Sequence, residues 1–253
     1  MNKKLQKAAL LGAACVIAVL LYIQFKPNPF PYTLESEHFT FYYTKTDQDS
    51  IHQLRDKLEE NYDRIVEDLK PLEMRRIKVK IYPDLAAYRK GTDRPDSPDW
   101  VVGTAGKDEL HMVSPNHPGP GKTYDTMLGV AVHEFVHCVT FNLTSYTSSG
   151  SLSWLYESIA VYEAGQFRNP QELQSLVKGK YPTLKQLNLS QEEPNVYDVG
   201  YIIIEYIRDT WGMSAVRDLI TSSGNMPAVL GKNEADFEKG WYEFVEGKYL
   251  KTN

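Results

Sequence analysis

The chain has 253 residues and a formal net charge of −5, from 28 Lys and Arg against 33 Asp and Glu. A negative balance with no long basic run argues against nucleic acid as a partner. The two cysteines, Cys15 and Cys138, form no disulfide framework.

The first 26 residues differ from the rest. Lys3, Lys4 and Lys7 precede the uncharged stretch Ala8–Phe25, which ends at Lys26. As a helix this stretch spans about 27 Å, close to a hydrocarbon core of roughly 30 Å. Residues 1–26 therefore read as an uncleaved signal anchor, a single transmembrane helix. A cleaved signal peptide is one rival, although no small-x-small site follows the apolar run. A lipoprotein signal using Cys15 after Gly12, Ala13 and Ala14 is the other, although the run continues from Val16 to Ile23. Positive charge on the N-terminal side places that end in the cytoplasm and the remainder outside the cell membrane. Residues 27–32 form a proline-rich stalk. Residues 33–253 suffice for one compact unit of two lobes.

Phe39–Thr44 is expected as an aromatic-rich strand. Ile51, Leu54, Leu58, Tyr62, Ile65 and Leu69 recur at spacings of three and four, marking a long amphipathic helix. Ile77–Tyr82 alternates as a second strand, and Asp84–Arg89 reads as a short helix. Trp100–Thr104 and Leu110–Ser114 read as strands around a turn at 106–109, followed by a proline- and glycine-rich loop over 115–122. Tyr124–Leu143 carries Met127, Val130, Ala131, Phe135 and Cys138 at helical spacing, with Asp125 or Thr126 as N-cap. Leu152–Ala164 is a second apolar helix. Helical patterns follow over about 171–178, 183–188, 197–211, 214–222 and 235–249, with Gly212 and Gly224 as stops. Phe237, Trp241 and Phe244 form the apolar stripe of the last. Strands first and helices after suit an α+β fold with a cleft between a sheet-containing lobe and a helical lobe.

Residues 133–137 read His-Glu-Phe-Val-His. On a helix His133 and His137 leave the same face one turn apart, so both can bind one metal ion, with Glu134 near its open side. The competing reading is an ordinary helix that happens to carry two histidines. Against it, Glu157 lies twenty positions on, among Leu155, Ile159, Ala160 and Val161. A carboxylate on so apolar a helix is costly unless it is paired or binds a cation. Glu157 is therefore the expected third ligand. Cys138 points about 100° away from His137 and reads as core.

His133-Glu134-x-x-His137 followed by Trp154-Leu155-x-Glu157-x-x-Ala160-x-Tyr162 resembles the gluzincins, the zinc peptidases of the thermolysin and aminopeptidase N kind. The closest likeness is to the bacterial peptidase MA-like domain, running from about Glu37 to about Tyr249. It includes the opening at 37–43 and the segment Tyr197-Asp198-Val199-Gly200-Tyr201. The resemblance implies a mixed-sheet lobe, a helical lobe and an edge strand beside the metal cleft. Leu110–Ser114 is the strand expected there, with Leu110, His111 and Met112 binding an extended peptide. Tyr197, by likeness to a tyrosine of aminopeptidase-type members, is the first choice to stabilise an oxyanion, and Tyr201 the second. Two positions depart from the family pattern. Ser158 stands where glycine usually follows the glutamate ligand, and Val161 where thermolysin-like members place the acid that braces the first histidine.

Two imidazoles and one carboxylate leave a fourth position on Zn2+ for water, with Glu134 as general base. The expected function is a membrane-anchored, extracytoplasmic zinc metallopeptidase acting on peptide or protein substrates. An endopeptidase is preferred, because no acidic cluster for a free amine is evident. The alternative is a zinc-containing binding or assembly module that cuts nothing. His38, His52 and His117 read as structural, and Glu163, six residues past Glu157, as solvated.

Overall fold

The computed structural model describes residues 28–143, 152–189 and 194–251. The expected anchor at 1–26 lies outside them. Among the described residues no helix is long and apolar enough to cross a membrane.

The protein is α+β with one mixed five-stranded sheet. The strands are β1 (Tyr32–Glu35), β2 (Phe39–Tyr43), β3 (Ile77–Tyr82), β4 (Gly103–Ala105) and β5 (Glu109–Val113), in the spatial order β1-β2-β3-β5-β4. β2, β3 and β5 run parallel, and the two outer pairings are antiparallel. The parallel pairings require crossovers, and helices supply them. α1 (Ile51–Leu69) joins β2 to β3 and buries all six of its expected apolar positions. α2 (Leu85–Gly91), capped by the Asp84 carboxylate on the Ala87 amide at 2.7 Å, follows β3.

The sheet differs from expectation at both edges. β1 begins at the last residue of the expected stalk. Phe30, also in that stretch, is buried edge-on against Tyr82 at 5.0 Å. The folded unit thus takes in part of the proline-rich segment. At the other end β4, not β5, is the edge strand. β5 is hydrogen-bonded on both sides, to β3 and to β4. Its apolar content reflects that interior place: Leu110 and Met112 have no exposure.

α3 (Tyr124–Leu143) matches the expected span. Its cap is neither Asp125 nor Thr126 but Thr123: the Thr126 amide donates to Thr123 Oγ1 (3.2 Å) and the Thr123 amide to Thr126 Oγ1 (2.7 Å). This reciprocal pair satisfies amides that the helix cannot. Phe135 ties α3 to the sheet and to α1, with ring centroids 5.2 Å from Phe39 and 5.3 Å from Tyr62. Burial of such a side chain contributes about 2–3 kcal/mol.

The helical half contains α4 (Ser153–Glu163), α5 (Gln174–Val177), α6 (Leu184–Leu189), α7 (Val196–Trp211), α8 (Met213–Thr221), α9 (Met226–Leu230) and α10 (Glu234–Val245), closed by a π-turn at Glu246–Leu250. Gly212, at φ 86°, ends α7 and opens α8. α4 and α7 pack very closely. A Cβ on Gly200 would lie 2.8 Å from Ser158 Cα and 2.9 Å from its hydroxyl. Glycine at 200 therefore makes room for the serine at 158. Glu163 is not solvated: its side chain is fully buried and pairs with Arg64 of α1, whose guanidinium also donates to the Glu163 carbonyl at 2.6 Å. Burial pushes the Glu163 carboxyl up to about 7, against the charge of Arg64.

Candidate metal centre and its cleft

α3 forms the floor of a cleft of about 980 Å³, walled by β4 with the loop before it on one side and by α4 and the start of α7 on the other. His133, Glu134 and His137 are buried on this floor at 7–8 % exposure. The buried residues Val132, Phe135, Val136 and Cys138 flank them along α3.

Glu157 reaches the same point from α4. Its carboxylate lies 3.2 Å from His133 Nε2 and 3.6 Å from His137 Nε2, and the two Nε2 atoms are 3.2 Å apart. One ligand atom from each residue falls within 4.8 Å of the other two. Burial opposes the charge on Glu157. The two imidazoles facing it outweigh that penalty and hold the carboxyl well below its ordinary range.

The brace for His133 is Gln166. Its Oε1 lies 3.0 Å from His133 Nδ1. An amide oxygen can only accept, so Nδ1 carries the proton and Nε2 presents a lone pair to Glu157 and His137. Two imidazole nitrogens facing each other beside a carboxylate would be satisfied by a cation between them. That donor set, His₂Glu, fits zinc. Gln166 gets there through the end of α4. Gly165 adopts φ 66°, the Gly165 amide donates to the Tyr162 carbonyl, and the Gln166 amide donates to the Val161 carbonyl, both at 3.0 Å. This is a Schellman ending. Its sequence signal, Ala164-Gly165-Gln166, was readable, but nothing in it points to His133. Val161, where the resemblance would have placed an acid, is buried at 1 % exposure.

Glu134, next to His133 on the same floor, packs against β4. A Cβ on Gly103 would lie 2.5 Å from Glu134 Oε1 and 2.7 Å from its Cγ. Glycine at the edge strand therefore lets the Glu134 side chain occupy its place. Burial pushes the Glu134 carboxyl up to about 7, with His133 opposing and Glu157 adding to the shift.

Tyr197 sits in the first turn of α7, beyond the Asn195–Asp198 capping box. Its ring is 6.1 Å from that of His133, and its hydroxyl hydrogen-bonds to Glu157. Burial, then the negative charge of Glu157, holds that hydroxyl in its protonated, donor form. Tyr201, one turn on, is not at the cleft; it packs against Tyr162 at 4.9 Å and Phe167 at 5.2 Å.

The expected peptide-binding residues of β5 are likewise elsewhere. Leu110 and Met112 are core. His111 stacks on Tyr82, with Nδ1 2.9 Å from the tyrosine hydroxyl and Nε2 3.3 Å from Glu109. None of the three lines the cleft, whereas all of β4 does. Cys138, which follows His137, is buried; its thiol lies 3.6 Å from the Glu109 carbonyl, and burial raises its pKa well above the ordinary thiol range. It belongs to the core, outside the candidate ligand group.

No protein-family model matches the chain, and no curated protein matches it.

Proposed function

We propose that the protein is a zinc-dependent peptidase of gluzincin type, held at the cell membrane by its N-terminal apolar segment with the cleft outside the cytoplasm. The observation that carries this reading is the convergence of His133, His137 and Glu157 beside a buried Glu134 that is not a ligand. A purely structural zinc site is closed by four protein ligands and does not call for that acid.

Zinc held by His133 Nε2, His137 Nε2 and the Glu157 carboxylate would supply a water of pKa lowered toward about 7 and would polarise the scissile carbonyl. Glu134 accepts the proton of the attacking water and hands it to the leaving amine nitrogen. The Tyr197 hydroxyl is the donor for the oxyanion. The free edge of β4 offers main-chain groups to an extended substrate, which adds to the sheet as a further strand.

The alternative, a zinc-containing binding or assembly module without activity, drew on the two departures from the family pattern and on the anchor. Both departures are offset within this chain: Gln166 braces His133 in place of an acid at 161, and Gly200 accommodates Ser158. The test is Glu134→Gln. The variant is expected to keep one zinc per chain and lose about 10²–10⁴-fold in hydrolysis of a peptide library. Full hydrolysis by this variant would remove the assigned mechanism.

A further inference from the structure

The cleft is chemically uneven along α3. At the C-terminal end of the floor, Phe141 and Tyr156 place ring centroids 6.2 Å apart. At the N-terminal end the lining includes Lys122 and Thr126. The loop carrying Lys122 packs against the segment leading into β4, since a Cβ on Gly119 would lie 2.7 Å from a Val102 methyl. Arg94 lines the same cleft, near enough for its charge to act on Glu134.

Among the described residues, the cleft's only acids are Glu134 and Glu157, and its only cations besides the histidines are Lys122 and Arg94. Neither cation has an ion-pair partner among those residues. Lys122 is moreover half-buried. A partly desolvated ammonium without a counter-charge is unfavourable, and a bound anion relieves it. The arrangement runs against the net charge of −5 carried by the whole chain. A free amine, by contrast, would need carboxylates, and both in the cleft already have a role.

We infer, resting on the peptidase reading, that the cleft takes peptides bearing a carboxylate two to three residues from the bond to be cut, bound by Lys122 with help from Arg94. The spacing follows from the helix. Thr126 and His133 are seven residues apart on α3, about 10 Å. An extended peptide rises roughly 3.3 Å per residue, so that distance is about three residues, and the reach of a lysine side chain shortens it. An acidic side chain and a free C-terminus present the same chemistry.

The experiment uses the full chain, zinc-loaded in detergent, with matched quenched-fluorescent peptides. One set carries Glu, Gln or Lys at stepped positions with both ends blocked. The other ends in a free carboxylate or an amide. A carboxylate is expected to raise kcat/KM about five- to tenfold at low salt. That ratio is expected to fall toward one in Lys122→Gln and to turn in favour of the Lys peptide in Lys122→Glu. Preference within the blocked set assigns an acidic side chain; preference confined to the free terminus assigns a C-terminal carboxylate. Equal rates for Glu and Gln peptides with no effect of the free terminus, or a ratio unchanged in Lys122→Gln, would overturn the inference. If no peptide is cut, the peptidase reading fails. Anisotropy titration of the same peptides then still decides: tighter binding of the carboxylate forms that Lys122→Gln abolishes supports the inference, and indifference to the carboxylate overturns it.

Discussion

Gly103→Ala places a methyl group where Glu134 now lies. The new Cβ would sit 2.5 Å from Glu134 Oε1, 2.7 Å from Cγ and 2.9 Å from Cδ. Ordinary carbon contacts lie at about 3.5–4.0 Å, so Cγ must retreat by roughly 1 Å. The atoms that move belong to a side chain, not to backbone, so the fold can absorb the change at a cost of about 1–2 kcal/mol. That corresponds to a fall in Tm of roughly 2–8 °C for a domain of this size. The catalytic cost is larger, because a 1 Å misplacement of a reacting group costs about 10²-fold. The expected result is therefore selective: kcat falls about 10²-fold, while zinc content stays at one per chain and unfolding shifts little. Wild-type kcat in this variant would refute the placement of Glu134 as base against β4. Loss of zinc together with a large drop in Tm would make the contact structural, not catalytic.

Two further outcomes follow from the same geometry. Gln166→Ala removes the only partner of His133 Nδ1 among the described residues and should weaken zinc binding about 10–100-fold in a chelator competition, whereas Gln166→Glu should strengthen it. Glu163 has its folded pKa raised to about 7 from an ordinary 4.5; its contribution is complete below about pH 4.5 and is lost as pH rises through 7, so stability declines across that window by up to about 3 kcal/mol. Denaturant unfolding of Glu163→Gln should flatten that decline, and an unchanged pH profile would contradict the assignment.

The long, strongly periodic elements were legible in the sequence. α1 matches the ends read from apolar spacing because it buries one continuous stripe, and α3 matches because it is buried on every face over 131–140. The convergence of His133, His137 and Glu157 was legible for a related reason: i, i+4 histidines fix a direction on a helix, and Glu157 is a carboxylate among apolar residues that calls for a partner. Legibility failed where long-range pairing decides. β4 has three residues, one of them glycine, and carries no alternation. β5 reads as the stronger strand for the very reason that it is interior, and the edge was therefore assigned to the wrong one. Glu163 looked solvated because its partner, Arg64, lies 99 positions away. Gln166 is a neutral residue in a turn, and only the folded chain brings it to His133. Tyr197 was singled out by likeness to a family segment alone. The fold sets it beside Glu157, while its near neighbour Tyr201 turns to the opposite packing surface.

In the proposed site His133, His137 and Glu157 together hold one zinc ion. Zinc K-edge X-ray absorption on the full chain, read in wild type and in Glu157→Ala, decides whether they do. The expected spectrum shows one ion per chain with two imidazole nitrogens at about 2.0–2.1 Å and a carboxylate oxygen at about 2.0–2.2 Å, the carboxylate signal being lost in the variant. A chain that takes up no zinc under saturating supply, or binds it with a shell that Glu157→Ala leaves unchanged, would rule this site out.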